Sequence, residues 1–203
     1  MMKIIGICGG SGSGKTTLVE AVRAHLSTDV VSVISQDSYY KNHDSLTFEE
    51  RCKLNYDHPN AIDYDLFVLH LNQLKKGKSI YSPIYSYSEH LRSDQFIEVF
   101  PKQVVLVEGI LIFAHTPLRE QFTTTIFIDA EDDTRLSRRM ARDILTRGRT
   151  AKEVRNRFED TILPMHDAHI QPHKETSDYI FDNNKDDLSR LSSFCKLVGN
   201  LIK

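Results

Sequence analysis

Cysteine is scarce in this chain of 203 residues, and a long apolar run is missing. The three cysteines, Cys8, Cys52 and Cys195, share no motif spacing and leave an odd number, so they indicate free thiols in a reducing compartment such as the cytosol. No apolar stretch approaches the roughly 18 residues that a transmembrane helix requires. We therefore expect a cytoplasmic protein with no membrane-spanning helix and no membrane partner.

An excess of charge of one sign is also missing. The formal net charge is −2, which gives no general reason to expect nucleic acid or an anionic membrane as a partner. The sequence has no internal repeat and no low-complexity segment. Its length favours a single domain over residues 1–203, with room for a lid. The short apolar N-terminus runs straight into a glycine-rich loop, which argues against a cleaved signal peptide.

The glycine-rich loop GGSGSGKTT stands between a β-rich run at 3–8 and an amphipathic helical pattern at 16–26. The spacing G-x-x-x-x-G-K-[ST] predicts a loop that binds phosphate with its backbone N–H groups at a helix N-terminus. A flexible Gly/Ser linker would not need this strand–loop–helix order. We expect Lys15 to reach the β- and γ-phosphates and the Thr16 hydroxyl to bind Mg²⁺. The predicted nucleotide-binding residues are Gly9, Gly10, Ser11, Gly12, Ser13, Gly14, Lys15, Thr16 and Thr17.

Strand and helix patterns alternate along the chain. The candidate core strands are residues 3–8, 30–34, 104–109, 123–130 and 178–181. The helical patterns lie near residues 16–27, 64–76, 131–145, 151–163 and 187–202. This order predicts an α/β fold with a central, mostly parallel five-stranded sheet flanked by helices. Two capping-box patterns, Thr47 with Glu50 and Thr150 with Glu153, mark helix starts.

Residues 79–100 do not follow this alternation of strands and helices. They are rich in Tyr, Ser and Ile and contain Pro83, which predicts a β-hairpin or short strands outside the main sheet. Such a ribbon could protect a sheet edge, or it could act as a flap over a substrate.

Two carboxylates follow predicted strands. Asp37 comes after the strand at 30–34, and Glu108 lies at the end of the strand at 104–109. Ligands of parallel α/β sheets gather at the carboxyl ends of the strands. These two side chains could flank a Mg²⁺–nucleotide, one accepting a proton from the acceptor and the other holding metal-bound water.

Arginine is concentrated between residues 135 and 150. At helical spacing one face carries Arg135, Arg138, Arg139 and Arg142, and another carries Leu136, Met140 and Ile144. A solvated face with salt bridges to acids such as Asp143 is one interpretation. We favour an Arg-rich lid over about 139–150, which also contains Arg147 and Arg149, because phosphoryl transfer needs cations around the transferred group.

Two further polar segments invite interpretation. Residues 55–65, NYDHPNAIDYD, are too irregular for a helix interior and too polar for a core, so we expect a recognition loop. His166, His169 and His173 could share a helix face, but without a fourth ligand a surface helix face explains them better than a metal site.

Seven segments in sequence order resemble the uridine kinase (uridine–cytidine kinase) family of P-loop nucleoside kinases. They are GGSGSGKTT, QDSYYK, NYDHP, PIYSYSEH, VEGIL, RRMARD and RGR, and the match as a whole runs from about residue 4 to residue 183. The resemblance implies the P-loop kinase fold, with a parallel sheet, a β-hairpin and an Arg-rich lid. It implies transfer of a phosphoryl group from ATP or GTP, with Mg²⁺, to the 5′-hydroxyl of uridine and cytidine.

The resemblance also implies roles for single residues. Asp37 would be the general base, Thr16 and Glu108 would complete the Mg²⁺ site, and Asp57 would bind the ribose 2′- and 3′-hydroxyls. The remaining roles divide between nucleoside and nucleotide. Tyr56 and Tyr85 would border the nucleoside, and His90 would read the pyrimidine edge. Arg139 would lie near the ribose, and Arg149 near the acceptor hydroxyl or the base. Arg142 and Arg147 would lie near the ATP phosphates.

One position departs from the family pattern. Where the family usually carries Gln on the helix after RGR, this chain has Arg157, which only donates hydrogen bonds. We expect Arg157 to contact the base, with a bias between uridine and cytidine as the consequence. Tetramers and feedback inhibition by pyrimidine triphosphates are implied by the resemblance alone.

Two other functions remain open at this point. A related P-loop kinase, similar to phosphoribulokinase or pantothenate kinase, would keep the loop and lid and take another small acceptor. A GTP-dependent switch would use Asn184-Lys185-Asp186-Asp187, which matches N-K-x-D, but the chain lacks a D-x-x-G segment.

Overall fold

A five-stranded parallel sheet forms the centre of the computed structural model, which describes residues 2–27, 29–185, 187 and 189–202. The strands are β1 (Lys3–Cys8), β2 (Val31–Ser35), β3 (Ile80–Ser86), β4 (Leu91–Val99), β5 (Val104–Gly109), β6 (Thr124–Asp129) and β7 (Tyr179–Asp182). The central order is β2–β5–β1–β6–β7, and each neighbouring pair is parallel. The predicted α/β fold and its five strands are confirmed, with the boundaries of β2, β6 and β7 shifted by one residue.

Helices cover both faces of this sheet. They are α1 (Lys15–His25), α2 (Phe48–Cys52), α3 (Tyr64–Lys75), α4 (Thr116–Arg119), α5 (Asp132–Arg147), α6 (Ala151–Arg157), α7 (Leu163–His169) and α8 (Ser189–Leu201). A π-helical turn, Phe158–Ile162, joins α6 to α7, so the predicted helix at 151–163 continues further than its pattern indicated. Both predicted capping boxes are present, at the starts of α2 and α6.

The inner strands β1 and β5 are mostly apolar because each is buried on two sides, whereas the edge strand β7 is largely exposed. One face carries Ile5 and Ile7 of β1, packed with Leu18 of α1 and Phe194 of α8 in one apolar cluster. The opposite face carries Val105 and Val107 of β5, packed with α3 residues such as Phe67 and Leu71 in a second cluster. The alternation of side chains along a strand therefore builds two cores from one sheet.

The helix α5 buries its charged face. Arg135, Arg139 and Asp143 are 1%, 5% and 0% exposed, whereas Ile144 and Leu145 are 43% and 83% exposed. The arginine periodicity is confirmed, but in the last turns of α5 the usual orientation of an amphipathic helix is reversed, while Leu136 and Met140 are half-buried. Buried guanidinium groups need partners, and Arg135 finds them in Asp132 at 2.6 Å and in the ring of Phe158, whose centroid lies 5.4 Å away.

The predicted hairpin outside the main sheet is confirmed. Strands β3 and β4 form a separate antiparallel pair, with a register shift between Pro83 and Tyr85. His90 in its turn has φ 52°, and it is the one non-glycine residue among those described with positive φ. Histidine tolerates this left-handed conformation better than most residues, and the turn directs its ring back toward Tyr56.

Neither a histidine metal site nor a membrane helix is found in the described part of the chain. His166 bonds Gln171, His169 contacts His58 edge-on, and His173 bonds Arg119, so the three rings point to different partners. No group of three metal-ligating side chains occurs among the described residues. None of the described helices has the length and hydropathy needed to cross a bilayer.

His166 makes the stability of the fold dependent on pH. The residue is 6% exposed, and burial, with a smaller contribution from Arg135, lowers its pKa to about 4. The unfolded chain, with a histidine pKa of about 6.5, takes up the proton first on acidification, so stability falls as the pH falls from about 6.5 to about 4. We expect His166 to account for a loss of roughly 2 kcal/mol between pH 7 and pH 5.

Urea unfolding at the two pH values measures this loss. The His166→Gln variant should lose clearly less stability between pH 7 and pH 5 than the unaltered protein. The exposed residue His25 provides a matched control, and His25→Gln should leave the pH dependence unchanged. Equal pH dependence in all three proteins would contradict the assignment.

Candidate active site

The glycine-rich loop wraps around the first side chain of α1. Lys15 Nζ donates to the carbonyl oxygens of Gly9 and Gly10, at 2.8 and 3.1 Å, and the residue is 6% exposed. Gly12 has φ 85°, and a Cβ there would lie 2.3 Å from the backbone oxygen of Arg135, so only glycine fits. Burial lowers the pKa of Lys15, and Glu108 acts in the opposite direction. The loop thus holds the amino group of Lys15 on two backbone carbonyl oxygens at the start of α1.

A cavity of about 850 Å³ opens at this loop, at the carboxyl ends of the central strands. It brings together most of the residues that the sequence analysis selected. The selected residues that line it are Ser11, Gly12, Gly14, Lys15, Thr16, Thr17, Asp37, Tyr56, Asp57, Tyr85, His90, Glu108, Arg139, Arg142, Arg147, Arg149 and Arg157.

Three selected residues lie behind the cavity wall. Gly9 and Gly10 contribute the carbonyl oxygens that hold Lys15. Ser13 is fully buried, and its carbonyl oxygen accepts a hydrogen bond from Asn183 Nδ2 at 2.6 Å. These residues brace the loop from behind, whereas Ser11, Gly12 and residues 14–17 line the cavity.

The two predicted carboxylates lie beside the loop because the register of the sheet places them there. Ser35 is opposite Glu108 in the β2–β5 pair, and Asp37 follows in the 3₁₀ turn Gln36–Tyr39. Ser35 Oγ donates to Glu108 Oε1 at 2.7 Å. Burial and the neighbouring Asp37 raise the pKa of Glu108, while Lys15 opposes the rise. Two carboxylates that repel each other beside a threonine hydroxyl form an oxygen donor set suited to a hard divalent cation.

The opposite side of the cavity is aromatic and cationic. The rings of Tyr56 and His90 are stacked with centroids 5.0 Å apart and an interplanar angle of 17°. Burial lowers the pKa of His90, and so do Arg157 and Arg149, which keeps its ring neutral and able to both donate and accept. Asp57 is 8% exposed, and burial raises its pKa against the attraction of Arg139 and Arg157.

Asp143 organises the arginines of the lid. The residue is fully buried, and four guanidinium groups surround its two oxygens. The closest nitrogen–oxygen distances are 2.9 Å from Arg142 and 3.0 Å from Arg149, with Arg139 at 3.4 Å and Arg147 at 3.6 Å. Burial alone would raise the pKa of Asp143, but the arginines outweigh it and lower the pKa. The predicted salt bridges to Asp143 are present, but the face that carries Asp143 is buried and not solvated. Arg139, Arg142, Arg147 and Arg149 also line the cavity, and their action as a lid stays a prediction.

Several cavity residues escaped the sequence analysis. Tyr40 and Tyr87 both line the cavity, and the Tyr87 hydroxyl donates to Asp37 Oδ2. Gln36 is fully buried, and its Oε1 accepts from the N–H of Leu111 at 2.6 Å, joining the ends of β2 and β5. The signal for Tyr87 was its two-residue spacing from Tyr85 along the hairpin, which places both side chains on one side.

Comparison with known proteins shows the family of this chain. The model of the phosphoribulokinase/uridine kinase family matches residues 4–189. The chain belongs to this family. A uridine kinase of Clostridium novyi is 45% identical over 87% of this chain and 85% of its own length. A uridine kinase of Bacillus cereus is likewise 45% identical, over 87% of this chain and 84% of its own.

A solved structure supports the fold of this family member independently. The D-glycerate 3-kinase of Cryptococcus neoformans superposes with a TM-score of 0.66 at 19% identity, covering 90% of this chain and 86% of that chain. At that identity the similarity concerns the fold alone. The predicted P-loop kinase fold is confirmed, and a nucleotide is the phosphate donor in this kinase family.

Two residues of the N-K-x-D segment, Asn184 and Asp187, make hydrogen bonds to other residues of the chain. Asn184 Oδ1 accepts from the N–H of Glu131 at 2.7 Å. Asp187 Oδ1 accepts from Ser189 Oγ and from the N–H of Arg190 at the start of α8. Asp186 lies outside the described residues. The contacts give the segment a role in connecting β7 to α8, and the GTP switch that it suggested is not favoured.

Removal of the Asp143 charge should destabilise the protein. Asp143→Asn leaves four guanidinium groups facing one another around a buried amide, and we expect a loss of roughly 3–5 kcal/mol in the free energy of unfolding, measured in urea. Added tripolyphosphate should stabilise this variant more than the unaltered protein, because phosphate oxygens replace the missing carboxylate. The control is Asp133→Asn, an exposed position on the same helix, which should cost less than about 1 kcal/mol. Similar values for both variants would contradict the organising role of Asp143.

Proposed function

We propose that the protein transfers the terminal phosphoryl group of ATP to the 5′-hydroxyl of uridine and cytidine, giving UMP and CMP in pyrimidine salvage. The observation that carries this proposal is the composition of one cavity. It joins the phosphate loop at Lys15 to a carboxylate at Asp37 and to a pocket with a stacked Tyr56–His90 pair. A phosphate donor and a nucleoside acceptor would meet at Asp37, between the two ends.

The phosphate end supplies positive charge and donors where charge develops on the transferred group. Lys15 would exchange the carbonyl oxygens of Gly9 and Gly10 for the β- and γ-phosphate oxygens. Arg142 and Arg147 would leave Asp143 in part to reach the same phosphates. Mg²⁺ would be held by the Thr16 hydroxyl and by Glu108 and Asp37, and when bound it would neutralise the phosphates. GTP could serve as donor in place of ATP through the same contacts.

The acceptor end of the cavity would supply the general base and the groups that align the nucleoside. Asp37 would take the proton of the 5′-hydroxyl as that oxygen bonds to the γ-phosphorus and the bond to ADP breaks. Asp57 would accept hydrogen bonds from the ribose 2′- and 3′-hydroxyls, with Arg139 close by. Arg139 is held toward the loop by its contact with Ser11 Oγ at 2.6 Å.

The pyrimidine ring of the nucleoside would lie against the aromatic side of the cavity. Tyr56 and Tyr85 would border the ring, and His90 would read its edge with one donor and one acceptor. Arg149 and Arg157 are at this end, and Arg157 can only donate hydrogen bonds, so carbonyl oxygens of the base would suit it.

The proposal also covers the location of the enzyme and its association with other copies of the chain. The free thiols agree with a cytoplasmic location. Exposed apolar side chains on and beside the hairpin, among them Tyr81, Phe96 and Phe100, support association between copies of the chain. No nucleic-acid or membrane partner is proposed.

A substrate panel tests the proposed function. With ATP and Mg²⁺ we expect phosphorylation of uridine and cytidine and none of adenosine, ribulose 5-phosphate or pantothenate. Phosphorylation of one of the latter acceptors would replace the proposal with another kinase activity. Hydrolysis of nucleotide with no phosphorylated acceptor would contradict a kinase role.

The variant Asp37→Asn tests the proposed base. We expect kcat to fall by roughly 10²–10⁴ because proton transfer is lost, while ATP affinity is retained. The control Asp44→Asn changes an exposed carboxylate that lies outside the cavity lining, and it should leave both parameters unchanged. Undiminished turnover in Asp37→Asn would show that another group accepts the proton.

A further inference from the structure

Tyr87 connects the hairpin to the proposed catalytic base. The residue follows directly after β3, in the turn of the hairpin, and its hydroxyl donates to Asp37 Oδ2 across fifty positions of sequence. Among the described residues no donor contacts Oδ1 of Asp37. One carboxylate oxygen is thus held by a neutral donor, and the residue lines the cavity.

The ring of Tyr87 makes a second connection, to the lid. The guanidinium carbon of Arg147 lies 4.6 Å from the ring centroid, a distance typical of a cation–π contact. Arg147 is the last residue of α5, and its Nε is 3.6 Å from Asp143 Oδ1. A continuous set of contacts therefore runs from the base through one tyrosine to the arginines of the lid.

The hydroxyl of Tyr87 is suited to donate permanently. An ordinary phenol, with a pKa of about 10, carries its proton at neutral pH, and the carboxylate of Asp37 can only accept, so the hydroxyl is the donor in this contact. The side chain is nevertheless not sealed in, because the residue is 43% exposed at the mouth of the cavity. It can follow a movement of the hairpin or of the lid without the opening of a packed core.

We propose that Tyr87 is a positioning residue, whose hydroxyl orients Asp37 so that Oδ1 meets the acceptor hydroxyl, and whose ring couples this orientation to Arg147 of the lid. The inference rests on the proposed function, since it assigns Asp37 the role of base. A base oriented by a third group is a recurring arrangement in catalysis, because it removes unproductive rotamers of the base.

Two substitutions separate the hydroxyl from the ring. Tyr87→Phe keeps the ring over Arg147 and should lower kcat for uridine about tenfold through the lost hydrogen bond, with KM for ATP unchanged. Tyr87→Leu removes both contacts and should also raise KM for ATP several-fold, because Arg147 loses its ring contact. The matched control is Tyr81→Phe, at an exposed tyrosine of the same hairpin, which should behave as the unaltered protein.

A double-mutant cycle distinguishes positioning from general damage to the hairpin. If Tyr87 acts through Asp37, the variant Asp37→Asn with Tyr87→Phe should have the same kcat as Asp37→Asn alone. Independent losses that multiply in the double variant would overturn the inference, and so would an unchanged kcat in Tyr87→Phe. Absence of nucleoside phosphorylation by the unaltered protein would instead refute the proposed function, so the two failures are distinguishable.

Discussion

The register of the parallel sheet is the constraint on which the site depends. The pairs Ser35–Glu108 and Cys8–Gly109 bring the ends of β2, β5 and β1 to one level. The chain leaves each strand there, and the following turns carry Asp37 and the glycine-rich loop. Because the two apolar cores fix the sheet from both sides, the polar groups at its edge are positioned by packing far from the site.

The balance of charge at the cavity is a second constraint on the structure. The cavity gathers many cations, and the fold supports them with a fully buried carboxylate at Asp143 and with contacts such as Arg139 to Ser11. A phosphate that enters would replace interactions that already exist, so the arginines need not be assembled at the moment of binding. The burial of charged side chains on α5 follows from this requirement, because arginines of this helix line the cavity, while Ile144 and Leu145 are exposed.

Much of the fold and of the site could be predicted from the sequence. Short-range patterns carried that information: the loop spacing, the strand-end acids, the arginine periodicity and the capping box at Thr150. The contacts that were not predicted join distant segments. The contacts of Tyr87 with Asp37 and of Gln36 with Leu111 depend on how the elements pack, and no local periodicity encodes them. The pairing of arginines with Asp143 is local and was one interpretation of the sequence, but the complete burial of Asp143 was not predicted.

The position of the transferred phosphoryl group tests the central claim most directly, since the cavity is proposed to align the phosphate loop with a 5′-hydroxyl. The product formed from ATP and uridine can be examined by proton-coupled phosphorus NMR. We expect one new monophosphate resonance, split by the two protons of the 5′-methylene group. A monophosphate resonance coupled to a single ribose ring proton, or inorganic phosphate as the only new signal besides those of ADP, would contradict the claim.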